Sequence, residues 1–265
     1  MDPFNIVSFK GVSKRYGEGA WVLRDINLEV QKGEFISLIG PSGCGKSTVL
    51  KLISGLATIS DGELGVDGML PDDAREEMAF VFQEPTLMPW RRVLGNVETL
   101  LKLRGVERVK RQEVSREMID LVGLSHAVTQ FPRQLAGGMK MRVSIARALT
   151  VNPEIILMDE PFGALDEMSR DRLNEDLLAI RSKEDFTAFF VTHSVAEAVF
   201  LSTRIVVLSA NPGQIHEVID VPFEYPRTAA LRDEGAFHDL VIHASQSLRS
   251  VEHAAAEARK EAVVA

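Results

Sequence analysis

Apolar and polar positions along the chain follow two rhythms. The first forty residues follow that of strands. FNIVSFKGVSKRY and WVLRDINLEV mix alternation with short apolar runs, and EFISLIG is a continuous apolar run ending in glycine. KSTVLKLISGL then carries helical spacing and ends near Gly55, which the pattern predicts as a C-cap. ISDGELGVDGML, punctuated by Gly and Asp, predicts a hairpin. MAFVFQEP predicts a short buried strand ending in Gln83. From about Leu87 to Thr150 the period changes: VLGNVETLLKLRG, KRQEVSREMIDLVGL and MKMRVSIARALT all predict helices, hence a helical insert. EIILMDEP and TAFFVTH are apolar runs bounded by polar residues, as buried parallel strands require. RIVVLS and QIHEVIDV predict further strands joined by the turn ANPG. The tail from about Ala229 is helical in pattern and is expected to fray over AAAEARKEAVVA. The expected architecture is an α/β core with a helical lobe inserted between two strands.

Composition narrows the classes. The chain has 265 residues, 45% hydrophobic and 26% charged, enough for one large domain with a sizeable core. A net charge of −8 gives no broad nucleic-acid-binding face. One cysteine, Cys44, excludes an internal disulfide and a multi-cysteine metal cage. MDPFNIVSFK lacks the layout of a signal peptide, and no apolar run approaches the ~20 residues that span a bilayer. Work at a membrane would therefore need another chain.

The chemistry concentrates in a few places. The run Gly40, Pro41, Ser42, Gly43, Cys44, Gly45, Lys46, Ser47 satisfies G-x-x-x-x-G-K-[ST], with Thr48 following, and lies between a predicted strand and a predicted helix. Such a loop turns backbone N–H groups onto phosphate oxygens. Lys46 is expected to reach the β- and γ-phosphates and Ser47 to ligate Mg²⁺; Cys44 has no role beyond being small. A carboxylate is needed at the end of a buried strand, and EIILMDE offers Asp159 for the metal's outer shell and Glu160 to polarise water; alternatively both serve as N-terminal helix charges before Pro161. His193 closes TAFFVTH, as a structural strand-end residue or as a donor to the γ-phosphate. Gln83 can reach Mg²⁺ or water. A second helix start, Ala136-Gly137-Gly138, offers another anion site.

Together these pieces resemble the ATP-binding subunit of an ABC transporter over nearly the whole chain. Tyr16 matches the aromatic that stacks on adenine, GPSGCGKST matches Walker A, and Gln83 the Q-loop. LAGGM matches the signature, IILMDE Walker B, Gly163 to Asp166 the D-loop, and His193 the switch histidine. The resemblance implies a P-loop NTPase (RecA-like) core with an N-terminal antiparallel β subdomain and an inserted helical subdomain, about 87–150. It divides the chain into an ATPase domain, 1–226, and a C-terminal helical extension, 227–265, of unassigned chemistry. It also explains the duplicated anion site. Two such subunits meet head to tail on two ATP–Mg²⁺, each signature helix completing its partner's nucleotide site, so Asp166 and Ala136-Gly137-Gly138 count as cofactor-binding. One departure stands out: the signature usually has serine where this chain has Ala136. The change either weakens ATP-driven closure or leaves a small residue packed without consequence.

LMPWRRVLGNV, LSANPGQI and DEPFGALD resemble the importers of nitrate, sulfonates and taurine. This implies a cytoplasmic, peripheral subunit that docks on a membrane permease near Gln83 to Arg92, in a system with a separate solute-binding protein. An apolar patch of Leu87, Met88, Pro89 and Trp90, flanked by Arg91 and Arg92, suits a helix-in-groove contact; Trp90 as core of the helical lobe is the other reading. About 90 residues separate Lys46 from Leu135, without the long coiled-coil arms of chromosome-organising relatives. A soluble ATPase of a cofactor-assembly machine is the alternative. The solute itself is not inferred, because this subunit never touches it.

Overall fold

The computed structural model describes the backbone of residues 5–264 and the side chains of residues 5–257. Phe4, where the first predicted strand begins, and the end of the fraying tail, side chains from 258 and all of Ala265, lie outside the described residues. The N-terminal elements are β1 (Asn5–Arg15), β2 (Trp21–Gln31), β3 (Phe35–Ile39), α1 (Lys46–Ile53), β4 (Asp61–Val66) and β5 (Met78–Val81). Then come α2 (Val93–Val97), α3 (Thr99–Leu103), α4 (Arg108–Leu121), α5 (Gly137–Leu149), β6 (Ile155–Asp159) and α6 (Glu167–Arg181). The chain closes with β7 (Thr187–Val191), α7 (Val195–Leu201), β8 (Arg204–Leu208), β9 (Ile215–Asp220) and α8 (Gly235–Val264). These elements form two compact units, one of Met1–Arg75 with Thr187–Ala265, the other of Glu76–Phe186.

The first unit holds two sets of strands. β2, β1 and β4 form an antiparallel sheet in that order, with Phe9 opposite both Leu28 and Leu64. Val7, Phe9 and Val12 are buried. β3 pairs in parallel with β7 and with β8, and β9 closes that edge antiparallel to β8. All five residues of β3 and of β7 are buried, which is why these segments read as unbroken apolar runs rather than alternations. β9, on the edge, has exposed or half-exposed residues at every position but Ile219.

α1 ends as its sequence predicts. Gly55 has φ +67°, the left-handed conformation of a residue just past a helix end, and its N–H donates to Leu52 O at 3.2 Å. The predicted hairpin at ISDGELGVDGML does not form as such. β4 pairs with β1, and after the Asp67-Gly68 turn only Met69 bridges back to Val66. The return strand stops there because Pro71 has no N–H to add to a ladder.

In the second unit β5 and β6 pair in parallel, from Met78 opposite Ile155 to Val81 opposite Met158. β5 therefore ends two residues before Gln83, not at it; Phe82 and Gln83 are exposed. The partner strand itself turns away at Glu160, which has φ +48° and lies where Gln83 would otherwise find its partner. The helix expected over VLGNVETLLKLRG is two, α2 and α3, broken at Glu98. The Gly95 carbonyl is claimed by the Thr99 hydroxyl (2.9 Å) and the Arg91 guanidinium (3.2 Å), which competes with the main-chain ladder. α5 packs on α4 and α6, joined to α6 by an Arg142–Asp176 ion pair.

Candidate functional site

In the first unit, β3 delivers the chain into the glycine loop and α1 carries it away. Gly40, Gly43 and Gly45 have φ of +157°, +80° and +101°, and Gly45 is the N-cap of α1. A Cβ at Gly40 would lie 2.6 Å from the Leu208 carbonyl oxygen, and one at Gly45 2.6 Å from Leu23 Cδ2. Glycine is thus required at both positions by space as well as by φ. Lys46 Nζ donates to the carbonyls of Gly40 (2.8 Å) and Pro41 (3.1 Å), which lays the ammonium along the loop. Ser42 and Gly43 are exposed at the loop's crest, Ser47 is half-buried, and the Thr48 side chain is turned inward.

Cys44 is packed inward, away from the loop's exposed crest. Its side chain is fully buried beneath the loop, 3.9 Å from Lys46 Nζ, and burial pushes the thiol's pKa up despite the nearby ammonium. Only its backbone can face a ligand. Beneath it sits Gly213, from the ANPG turn that the sequence marked only as a connection. The Gly213 N–H donates to Val22 O and its carbonyl accepts from Arg24 N–H, both at 2.9 Å. A Cβ there would stand 2.0 Å from the Cys44 carbonyl oxygen. That turn is the floor of the glycine loop.

His193 is exposed just beyond the C-terminal end of β7. Since Leu38 of β3 pairs with Val191, the histidine and the start of the glycine loop at Gly40 leave the same end of adjacent strands. Tyr16 follows β1 with 51% of its surface exposed and Lys14 Nζ 4.7 Å over its ring, leaving aromatic area available for stacking.

In the second unit, the β5–β6 register sets Gln83 and Glu160 each two residues past the last paired positions, Val81 and Met158. Asp159 ends β6 and Glu160 follows in the left-handed region, a conformation that costs about 1–3 kcal/mol for a non-glycine residue. Gly163 N–H closes the turn onto Glu160 O at 3.1 Å, and Phe162, 1% exposed, anchors it in the core. Asp166 caps α6: its carboxylate accepts from Ser169 N–H at 3.0 Å, and the hydrogen bonds from Ser169 hold its pKa below the ordinary value.

α5 begins at Gly137, with Ala136 as an N-cap that lacks a side-chain acceptor. Ala136 and Gly137 are exposed and Gly138 is half-buried. Two further residues, unremarked in the sequence, build the segment after Gln83. Arg147 of α5 donates to the carbonyls of Pro85 (3.0 Å) and Thr86 (3.1 Å), and burial lowers its pKa. Asn96, 1% exposed, donates to the carbonyls of Met88, Arg91 and Arg92 and accepts from Met88 N–H at 2.7 Å. Four hydrogen bonds from one amide hold the turn that carries Trp90, which is 74% exposed. Trp90 is therefore not core. Arg92 lies over the Phe131 ring at 4.8 Å and donates to Thr129 O.

The donor set suits a polyphosphate. Acidic side chains normally favour the first turn of a helix, yet neither α1 nor α5 has one there. A helix start without acidic side chains is compatible with an anion, and Lys46 and Ser47 stand in the first turn of α1. Among the described residues there is no cluster of three or more His, Cys, Asp or Glu that could hold a metal ion.

A protein-family model described as ABC transporter matches residues 23–163. An uncharacterised ABC transporter ATP-binding protein of Methanocaldococcus jannaschii is 48% identical over 211 residues, 80% of this chain and 79% of its own. The aliphatic sulfonates import ATP-binding protein of Bacillus cereus is 43% identical over 225 residues, 84% of this chain and 88% of its own. Among solved structures, a dimeric ATP-binding cassette in a post-hydrolysis state, bound to ADP and Pi, is similar with a TM-score of 0.71 and 33% identity. That match covers 82% of this chain and all of the cassette. The chain belongs to the ABC transporter family, among its ATP-binding proteins.

Proposed function

We propose that this chain is the ATPase subunit of an ABC importer, hydrolysing ATP in a head-to-tail dimer to drive uptake of a small solute of the sulfonate, taurine or nitrate type. The observation that carries the reading is the pair of glycine-bearing helix starts, α1 with Gly45 and its lysine and α5 with its exposed Gly137. One chain needs one phosphate cradle; a second, on the surface, serves a partner's nucleotide. The importer assignment draws on the sulfonates importer subunit it resembles and on the exposed Trp90. No helix among the described residues is long and apolar enough to cross a membrane, so transport requires a permease. We place the subunit at the cytoplasmic face of that permease, with a separate solute-binding protein, and take 1–226 as its ATPase domain and 227–265 as an extension.

The residues divide the work. The loop from Gly40 to Thr48 binds the phosphates, with Lys46 as the charge on the β- and γ-oxygens, and Tyr16 stacks on the base. Ser47, Gln83 and Asp159 would hold Mg²⁺, which when bound neutralises charge on the phosphate oxygens. Glu160 takes the proton from the attacking water, and His193 donates a hydrogen bond to the γ-phosphate. Gly137 and Gly138 of each subunit present N–H groups to the partner's nucleotide, so ATP stabilises only the closed dimer.

Two experiments test this. Truncating Trp90 to Ala should weaken capture of the permease by about 30-fold, the loss of a central aromatic anchor worth ~2 kcal/mol. The substitution is at the surface and should leave folding stability within about 0.5 kcal/mol. Equal permease capture by both proteins would remove the docking assignment. Introducing Ala136→Ser should tighten ATP-dependent dimerisation by about ten- to a hundredfold, because a hydroxyl bonded to a charged phosphate contributes ~1.5–3 kcal/mol. The same serine should cap α5 and raise thermal stability, by about 1 kcal/mol. Sedimentation with ATP, alongside melting, separates the two: a gain in melting temperature without a gain in dimer would show that the hydroxyl serves the helix alone.

A further inference from the structure

α7 opens with Ser194-Val-Ala-Glu197, the pattern in which a serine hydroxyl takes the N–H three residues on and the glutamate reaches back to the serine's own N–H. The first half is present, with Glu197 N–H donating to Ser194 Oγ at 3.3 Å. The second half is rerouted. Ser194 N–H donates instead to Thr192 Oγ1 at 3.0 Å, and the Thr192 hydroxyl donates to Glu197 Oε2. A threonine outside the helix has been inserted into its cap. The residue between that threonine and the capping serine is His193.

Burial sharpens the arrangement. Thr192 and Glu197 are each 4% exposed, while His193 is on the surface. A carboxylate this far from water is unfavourable unless hydrogen-bonded, so the Thr192 hydroxyl is held to one orientation by its two partners. The Thr192 N–H is tied as well, to Leu38 O at 3.4 Å, two residues before Gly40. The far end of α7 cannot recoil. The Arg227 guanidinium donates to the carbonyls of Val199 (3.2 Å), Phe200 (2.9 Å) and Ser202 (2.9 Å), and Tyr225 Oη to Leu201 O at 2.5 Å. The His193 peptide is thus pinned to the strand of the phosphate loop on one side and to a fixed helix on the other.

We propose that Thr192 and Glu197 are positioning residues for His193, their rerouted cap setting where the imidazole stands relative to the phosphate loop. The inference rests on the reading of His193 as a γ-phosphate donor. It is tested in the full chain with Thr192→Val, which keeps the shape and removes the hydroxyl, and with Thr192→Ser, which restores it. Steady-state ATP hydrolysis gives kcat and KM; the imidazole Cε1–H resonance of His193, assigned by its loss in His193→Ala, reports position. In Thr192→Val, kcat should fall about 10- to 100-fold, as expected for a displaced catalytic group, with KM for ATP within about twofold and the resonance shifted. Thr192→Ser should recover both. A Thr192→Val protein with undiminished kcat or an unmoved resonance, while His193→Ala is inactive, overturns the proposal. A fully active His193→Ala overturns instead the reading beneath it. Should Thr192→Val fail to fold, Glu197→Gln takes its place, with the same fall in kcat expected and an undiminished kcat equally fatal.

Discussion

A Gly213→Ala chain should bind ATP roughly 5- to 150-fold more weakly, the cost of forcing about 1–3 kcal/mol of overpacking into one contact. The contact in question is backbone on backbone. An added Cβ would meet the Cys44 carbonyl at 2.0 Å, with Val22 O at 3.1 Å and Leu23 Cδ2 at 3.0 Å on other sides. No rotamer relieves it, and Gly213 cannot retreat while its N–H and carbonyl are both bonded to β2. The Cys44 peptide must move, and with it Gly45 and Lys46, the start of α1. Gly235→Ala is the control: nothing lies within 4 Å of its added carbon, and its affinity should be unchanged. Titration with a fluorescent ATP analogue measures both. If Gly213→Ala binds as the parent does, the turn is a connection and not a floor.

The difference between Gly213 and Gly45 shows what the chain discloses by itself. Gly45 lies inside a contiguous motif whose spacing, flanking strand and flanking helix are all local, so its role is legible from its neighbours. Gly213 acts on Cys44 across the fold, in an unremarkable turn, and no window along the sequence holds both. The same holds for Asn96 and Arg147: each is one polar residue in an amphipathic helix, and only the path of residues 85–92 shows which carbonyls they satisfy. Buried strands were legible because parallel pairing covers both faces and leaves an unbroken apolar run, as in FISLI. Their ends were not. Gln83 lies outside β5 because the neighbouring strand turns at Glu160, a fact about another strand. Exposure of Trp90 was undecidable from periodicity, since an aromatic at the mouth of a helical segment suits either core or interface; the amide of Asn96 decides it by holding the turn that presents the ring outward.

Glu160→Gln should lower the rate of ATP hydrolysis by about 10²–10⁴, the usual contribution of a positioned general base. The amide matches the carboxylate in size and can still hold water, but cannot accept its proton. The backbone at Glu160 already sits in the left-handed region, held by the Gly163 N–H and by the burial of Phe162, and glutamine inherits that conformation without new strain. ATP affinity should therefore change little, and the loss should fall on kcat. The proposed head-to-tail dimer predicts a second change. With hydrolysis slowed, the nucleotide that bridges two subunits persists, and the population shifts to dimer by mass action. Phosphate release and sedimentation in MgATP should move in opposite directions, turnover down and dimer up. Retention of turnover within about threefold would remove Glu160 from the chemistry. Loss of turnover with a strictly monomeric, ATP-saturated protein, alone and beside its permease, would leave the base in place. It would deprive the exposed glycines of α5 of their partner.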